Sequence, residues 1–306
     1  RYLLAGRDGM GWATLRDADR AELERWLSMR AVTPRDPGNP DSVMGARVHN
    51  AYAVAFSAFG GWCARQGYVK VNPFSGVMKR DEQADRRRIR RALSPEELAR
   101  LFDATGKRPL EERKKNRGSD ANLKPETIDA LQWLGRTRAL AYKTAAFTGL
   151  RWGELRSITI GAARLDASPP HLELQAKDEK ARRGAQIPLQ ADLAAELAAY
   201  VAERKKRLTG QRSAFPGAFD GKSLFDGLPE KMSRVFEKDC KAAGIPKHDG
   251  AGRVIDVHAL RVSFGTMLAK SGVSLQIAQR AMRHSDPKLT ANVYTHLALL
   301  DVAGAV

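Results

Sequence analysis

The sequence predicts a mainly α-helical protein with a small antiparallel β-sheet. Apolar residues recur at helical spacing along most of the 306 residues. Strand-like alternation is convincing only between residues 172 and 189, where two short apolar runs flank a charged tip and indicate a hairpin. A cationic run with almost no apolar residues, 79–91, interrupts the helical pattern. We therefore expect a helical domain over 1–79, a basic linker over 80–93 and a larger domain over 94–306.

The N-terminal domain is expected to be a small helical bundle. Prolines and a glycine between positions 34 and 40 separate two stretches of helical periodicity. The first stretch is formed by Leu23, Trp26, Leu27 and Arg30, and the second by Val48, Tyr52, Phe56, Phe59 and Trp62. Because a stripe of aromatic residues on one helix face usually belongs to the core, we expect the second stripe to be buried.

The larger domain is expected to begin at Ser94. The segment 94–97 combines an N-cap serine, a proline at the first helical position and a glutamate three residues after the serine, which together form a capping box. Residues 106–125 are polar and rich in lysine, so we expect a surface insertion there. Further helices are predicted at 128–147, 191–207, 230–243, 258–271, 274–283 and 289–300.

The chain is strongly basic. It has 52 Lys and Arg against 35 Asp and Glu, which gives a formal net charge of +17 and a pI near 10.1. Such an excess is typical of a protein that binds a polyanion such as nucleic acid. A ribosome-associated protein or a merely soluble basic protein would show the same charge, so charge alone leaves these alternatives open.

Cysteine usage and apolar runs argue against several other classes. Cys63 and Cys240 are the only cysteines and lie far apart in the sequence, so neither a disulfide framework nor a zinc pattern is present. No run approaches the roughly 20 apolar residues of a membrane span, and no signal peptide is visible. We expect a cytoplasmic protein that does not bind a membrane. Because the chain starts at Arg1 rather than Met, the question whether a further segment precedes it stays open.

Several polar residues of the larger domain are suited to binding a phosphate group. His258 and Arg261 are spaced i, i+3, which places both on one face of a helix, away from its core side. Arg151 follows Gly149, a residue that readily ends a helix, and its planar fork can donate two hydrogen bonds to phosphate oxygens. Glu154, one turn further on, is expected to orient its neighbours rather than act as a base.

Two more residues lie near the C-terminal end. His284 ends one predicted helix just before a turn, and Tyr294 lies ten residues later on the last one. Taken singly, each of these polar residues has an ordinary structural role. The histidines and arginines would be surface residues, and the tyrosine would belong to the core or to an interface.

The order and spacing of these residues together resemble the tyrosine recombinase family, also called the integrase family. The resemblance covers roughly residues 94–300, and the helical N-terminal part is similar to the core-binding domain of that family. It implies a helical core-binding domain followed by a tyrosine-recombinase catalytic domain. It also implies a catalytic set, which consists of Arg151, Lys177, His258, Arg261, His284 and Tyr294.

The resemblance further implies a site-specific recombinase that cleaves and rejoins double-stranded DNA through a 3′-phosphotyrosyl intermediate. Tyr294 would be the nucleophile, His258 the general base and Lys177 the general acid, while His284 and the two arginines would bind the phosphate. No metal, cofactor or ATP is expected. Family members act as tetramers on paired sites, so we expect a homotetramer, with accessory DNA-bending proteins as partners. We expect the protein to be encoded by a mobile element of a bacterium or phage and to act at the nucleoid.

The sequence departs from the family pattern in two places. Arg283 stands where the family usually has glycine before the histidine, and arginine tolerates a positive φ poorly. The hairpin tip is also longer than usual, and Lys177, which directly follows the predicted strand, matches the family lysine better than Lys180. Two other functions stay open, namely a type IB topoisomerase that relaxes supercoils and a DNA-binding protein without catalytic activity.

Overall fold

The computed structural model describes residues 10–117, 123–179, 182–209 and 217–291. The chain divides into two compact units, residues 1–88 and 89–306. A division at the basic segment 80–93 remains our proposal for the domain organisation. No helix in the described part of the chain has the length and apolarity needed to cross a membrane.

Two helices form most of the first unit, α1 (Arg20–Val32) and α2 (Ala46–Arg65). The Asp19 side chain caps α1 by accepting a hydrogen bond from the Glu22 amide at 2.7 Å. The core of this unit consists of Met10, Trp12, Leu23, Trp26, Leu27 and Phe74.

The expectation that the aromatic stripe of α2 is buried is wrong in part. Phe59 and Trp62 are each almost half exposed, whereas Tyr52 and Phe56 pack against the core. The buried residues of α2 are instead Ala46, His49, Asn50, Ala53, Gly60 and Cys63. A Cβ at Gly60 would lie 2.1 Å from the Asn72 side chain and 2.9 Å from that of Phe74, so only a small residue permits this close packing.

The second unit is built mainly from helices. They are α3 (Pro95–Arg117), α4 (Pro125–Thr148), α5 (Trp152–Ser157), α6 (Ala191–Thr209), α7 (Ser233–Ala242), α8 (Ala259–Lys270) and α9 (Leu275–Met282). The predicted capping box forms at the start of α3, where the Glu97 amide donates to Ser94 Oγ at 3.1 Å and the Ser94 amide donates to the Glu97 carboxylate at 2.9 Å. The residues 287–291 are also helical, and the rest of the predicted helix 289–300 lies outside the described residues.

The expectation of a surface insertion at 106–125 is wrong for residues 106–117, because α3 continues through Pro109 as far as Arg117. Some of its polar residues form ion pairs on the helix instead of lying in a loop. Arg108 Nε lies 2.5 Å from the buried carboxylate of Asp239 on α7, and Glu112 accepts a hydrogen bond from Lys238 of the same helix. The polarity of this segment therefore reflects its ion-pair partners; residues 118–122 lie outside the described residues.

A three-stranded antiparallel sheet completes the second unit. Its strands β1 (Ala163–Arg164), β2 (His171–Leu174) and β3 (Ala185–Pro188) lie side by side in chain order. The predicted hairpin is confirmed, with Leu172 opposite Ile187 and both side chains in the core. The sequence did not predict β1, because two residues are too few for a period of two to be visible.

Candidate catalytic site

A tight turn between α4 and α5 presents Arg151. Gly149 ends α4 in the left-handed conformation, with φ of 64° and ψ of 17°, and a Cβ there would lie 2.4 Å from the Phe264 ring. Only glycine meets both requirements, as the sequence indicated. Arg151 follows as the N-cap residue of α5 with its side chain 30% exposed, so the guanidinium is accessible to a ligand.

Glu154 holds Arg151 in place. Its carboxylate accepts hydrogen bonds from the Arg151 amide at 3.0 Å and from the Arg151 guanidinium at 2.6 Å. It also accepts a hydrogen bond from Arg283 Nη2 at 3.1 Å. Burial tends to raise the pKa of Glu154, but these hydrogen bonds and the Arg283 charge outweigh burial and lower it. An ionised carboxylate between two guanidiniums orients them, which agrees with the role expected from the sequence.

Arg261 is buried beneath this turn, which differs from the expectation that it shares the outer helix face with His258. Its side chain reaches from α8 to two backbone carbonyls, those of Gly149 and Met282. The guanidinium thereby ties the end of α4 to the end of α9. Burial, followed by the charges of Arg151 and Arg283, lowers the pKa of Arg261 to about 9, so it still carries its charge at neutral pH.

His258 lies at the N-cap of α8 and is exposed. Its amide donates to the Asp256 carboxylate, which also binds the Arg90 guanidinium at 2.8 Å. Loss of surrounding water, followed by the charges of Arg90 and Arg261, lowers the pKa of the imidazole. The desolvation reflects the protein packed around the ring, although the residue as a whole is open to solvent. The neutral form of His258 is therefore favoured near neutral pH, and this form can accept a proton.

His284 lies beside the same cluster. Its Nδ1 is 2.9 Å from the Thr290 hydroxyl, and Thr290 is buried. Burial, followed by the charges of Arg261 and Arg151, lowers the pKa of His284 to about 4. The ring is thus neutral at pH 7, and a hydroxyl that donates to Nδ1 would leave the proton on Nε2. Thr290 is a site residue that the sequence did not single out.

Arg283 is a second residue that the sequence did not place in the site. It follows α9 in the left-handed conformation, with φ of 50° and ψ of 44°, so the positive φ that the sequence marked as unfavourable for arginine does occur. Its guanidinium is 3.1 Å from Glu154 Oε2 and 3.4 Å from the Gly149 carbonyl oxygen. The only signal in the sequence was the departure from glycine.

The remaining candidates are Lys177, Lys180 and Tyr294. Strand β2 ends at Leu174, so Lys177 does not directly follow it but lies three residues later in an exposed turn. Lys180, the other candidate lysine, and Tyr294, the candidate nucleophile, lie outside the described residues.

The described part of the site is a cluster of cations around one carboxylate. Arg151, Arg261 and Arg283 surround Glu154, and the pKa of His284 is lowered by the charges of all three arginines. A groove of about 1120 Å³ opens beside it, with Arg283 and His284 among its lining residues. Within the described residues no group of three His, Cys, Asp or Glu side chains could hold a metal ion. Such an arrangement is suited to a phosphate group, because guanidiniums bind phosphate oxygens in pairs.

Comparison with known proteins identifies the family and the fold. The sequence model of the phage integrase family matches residues 125–299. No curated protein matches the chain. Among solved structures, the chain is similar to the XerH site-specific recombinase bound to a palindromic difH substrate, with a TM-score of 0.62 and 17% identity over 96% of this chain and 74% of that one.

Two further solved structures share the fold. The chain is similar to the Tn1549 transposon integrase in complex with a circular intermediate DNA, with a TM-score of 0.56 and 16% identity over 92% of this chain and 82% of that one. It is also similar to a lambda integrase dimer bound to a COC′ core site, with a TM-score of 0.54 and 17% identity over 92% of this chain and 65% of that one. These likenesses establish the mainly helical fold with its small antiparallel sheet.

Proposed function

Since this chain belongs to the phage integrase family, the tyrosine recombinases, we propose that it is a site-specific recombinase that cleaves and rejoins DNA through a 3′-phosphotyrosyl intermediate. The observation that carries the proposal is the cluster of Arg151, Arg261 and Arg283 around the buried Glu154, next to a neutral His284. This cluster provides fixed positive charge where a pentacoordinate phosphorus gains negative charge.

In the proposed first step, the Tyr294 hydroxyl oxygen attacks the phosphorus of a DNA phosphodiester in line. A bond from phosphorus to the tyrosine oxygen forms as the bond to the 5′-oxygen breaks. His258 takes the tyrosine proton, since its lowered pKa keeps the imidazole neutral. Lys177 gives a proton to the leaving 5′-oxygen. In the second step a 5′-hydroxyl attacks the phosphotyrosine, and the new phosphorus–oxygen bond forms as the bond to the Tyr294 oxygen breaks. The hydroxyl proton passes to Lys177 and His258 returns its proton to the tyrosine, so the bond energy is conserved without ATP.

The remaining residues are proposed to bind the phosphate. The exposed guanidinium of Arg151 would donate to the non-bridging oxygens, and His284 would donate from Nε2. Arg261 already binds the carbonyls of Gly149 and Met282 through its two terminal nitrogens. Each of those nitrogens carries a second hydrogen, so Arg261 can hold the two segments and also donate to a phosphate oxygen.

The partner is double-stranded DNA, consistent with the net charge of +17. The basic segment 80–93 contributes less free charge than the sequence indicated. Arg87 pairs with Asp85, Arg90 with Asp256, and Arg91 with Glu97. A homotetramer on paired sites and assistance from accessory DNA-bending proteins remain part of our proposal.

The proposed function is tested by incubating the protein with nicked duplexes tiled from the DNA that flanks its own gene, in EDTA. A nick near the cleaved bond lets the 5′-product diffuse away, so the covalent complex accumulates. We expect protein–DNA adducts that resist SDS, in equal yield with EDTA or with Mg²⁺, because fixed cations rather than a metal would stabilise the transition state. Loss of adducts in EDTA, at unchanged DNA affinity, would contradict the proposal.

The pH dependence of cleavage gives a second prediction. The pKa values of His258 and His284 are both lowered, so both rings keep their neutral form below the usual histidine pKa of about 6.5. Activity should be lost only as the pH falls below that value. We expect the acid limb of kcat/KM, which reports the free enzyme, to have its midpoint below pH 6.5. A midpoint at or above about 6.5 would contradict this prediction, because at least one required group would then take up its proton without a lowered pKa.

A further inference from the structure

We propose that Arg283 is a positioning residue of the catalytic site, which holds Glu154 so that Glu154 presents Arg151 to the phosphate. The inference rests on the proposed function and deepens it, because it assigns a role to the residue that replaces the usual glycine. Its basis is the combination of an unfavourable backbone conformation with a buried ion pair at one position.

The backbone at Arg283 is the first part of the argument. Its φ of 50° lies in the left-handed region, which a side chain with a Cβ adopts only at an energetic cost. Glycine adopts this conformation freely and is the usual residue just after a helix end. The arginine therefore needs side-chain contacts that offset the cost of its conformation.

The side chain provides such contacts. Arg283 Nη2 donates to Glu154 Oε2 at 3.1 Å, and the two side chains are only 9% and 3% exposed. The other carboxylate oxygen, Oε1, accepts the Arg151 guanidinium at 2.6 Å. Each oxygen of Glu154 thus binds a different guanidinium. This arrangement fixes the rotation of the carboxylate and hence the direction in which it holds Arg151.

The charge balance gives Arg283 a second effect. A single carboxylate paired only with Arg151 would neutralise it and compete with the phosphate for its hydrogen bonds. With Arg283 present, one negative charge is shared between two guanidiniums, and the group keeps a net positive charge for the phosphate. Because Arg283 Nη2 is engaged by Glu154 and by the Gly149 carbonyl oxygen, Arg283 acts in this proposal through Glu154 rather than through the phosphate.

Arg283 also lies near the hairpin loop that carries Lys177. Glu179 in this loop is buried, and Glu179 and Arg283 line the same groove. Burial lowers the pKa of Arg283, while the negative charges of Glu154 and Glu179 act in the opposite direction. The charge of Arg283 is thus stabilised by a carboxylate of the Arg151 helix and by one of the Lys177 loop.

The test compares Arg283→Gly with Arg283→Lys in single-turnover cleavage at saturating nicked DNA. The glycine variant removes the backbone strain and the ion pair with Glu154. The lysine variant keeps the positive charge but lacks the planar guanidinium. We expect Arg283→Gly to lower the cleavage rate about 100-fold, the effect of misplacing a reacting group by about 1 Å. The dissociation constant for DNA should change less than about threefold, since Arg283 is engaged by Glu154 and is not proposed to contact the phosphate. Arg283→Lys should recover part of the rate.

Arg182→Gly is the matched control. Arg182 is exposed and also has a positive φ, 54°, so this variant relieves the same kind of strain and removes the same charge away from Glu154. Its cleavage rate at saturating DNA should equal that of the wild type. A wild-type rate for Arg283→Gly, or an equal loss in both glycine variants, would overturn the inference.

A thermal-unfolding cycle keeps this test independent of the proposed function. If the wild type forms no covalent adduct, the proposed function fails, but the role of Arg283 can still be measured through Glu154→Gln. We expect Arg283→Gly to lower the Tm of the wild type and to raise or leave unchanged the Tm of Glu154→Gln, because only the strain relief then remains. Additive effects of the two substitutions would contradict the inference.

Discussion

Replacing Tyr294 by phenylalanine is expected to abolish covalent attachment to DNA. The substitution removes only the attacking oxygen, so the cleavage rate should fall by at least about 10⁴-fold, as for other enzymes that lose their nucleophile. DNA affinity should change less than about twofold, because the cations that bind phosphate remain. The measurement is the yield of SDS-resistant adduct on nicked duplexes, together with the dissociation constant at the same salt concentration.

Tyr68→Phe is the control for Tyr294→Phe. Tyr68 is an exposed tyrosine of the first unit, at 62% exposure, and it is not one of the proposed catalytic residues, so the substitution removes the same hydroxyl group from outside that set. It should form adduct at the wild-type rate. Adduct formation by Tyr294→Phe at more than a small fraction of that rate would assign the nucleophile to another residue.

The largest loss of stability is expected for Asp239→Ala. Asp239 on α7 is fully buried and binds Arg108 Nε at 2.5 Å, the Arg138 guanidinium at 3.0 Å and the Tyr142 hydroxyl at 2.8 Å. Removing the carboxylate would leave the buried Arg138 guanidinium without a counter-charge and would leave Arg108 paired only with the more exposed Glu112. Breaking such a buried pair typically costs about 3–5 kcal/mol, which should appear in the free energy of unfolding from urea denaturation.

Asp103→Ala provides the comparison on the same helix that carries Arg108. Asp103 pairs with Lys107 at 2.7 Å, but both side chains are more than 60% exposed. Exposed pairs of this kind contribute about 0.3–0.5 kcal/mol, so the variant should unfold almost as the wild type does. Equal destabilisation by the two substitutions would show that the buried network of Asp239 is not what joins α3 and α4 to α7.

Local patterns were enough to predict much of the fold. The start of α3 follows from Ser94 and Glu97, and the end of α4 follows from Gly149, because caps depend on a few neighbouring residues. The hairpin was visible from alternation. The continuation of α3 beyond residue 106 was not, since its polar side chains are held by partners on α7 that are distant in the sequence.

The site was predictable where it follows the family pattern and not where it depends on tertiary contacts. Spacing placed His258 and Arg261 on one helix, but burial of Arg261 follows from the carbonyls of Gly149 and Met282, which only the fold brings together. For the same reason the hydrogen bond between Thr290 and His284 could not be derived from periodicity.

The most direct test of the central claim is to identify the residue that becomes attached to DNA. The SDS-resistant adduct formed in EDTA would be digested with nuclease and trypsin, and the nucleotide-bearing peptide sequenced by mass spectrometry. Cleavage after Lys288 places Tyr294 in the tryptic peptide that begins at Leu289. We predict that this peptide carries the nucleotide, on Tyr294. A nucleotide on any other peptide, or no adduct with duplexes that the protein binds, would contradict the account.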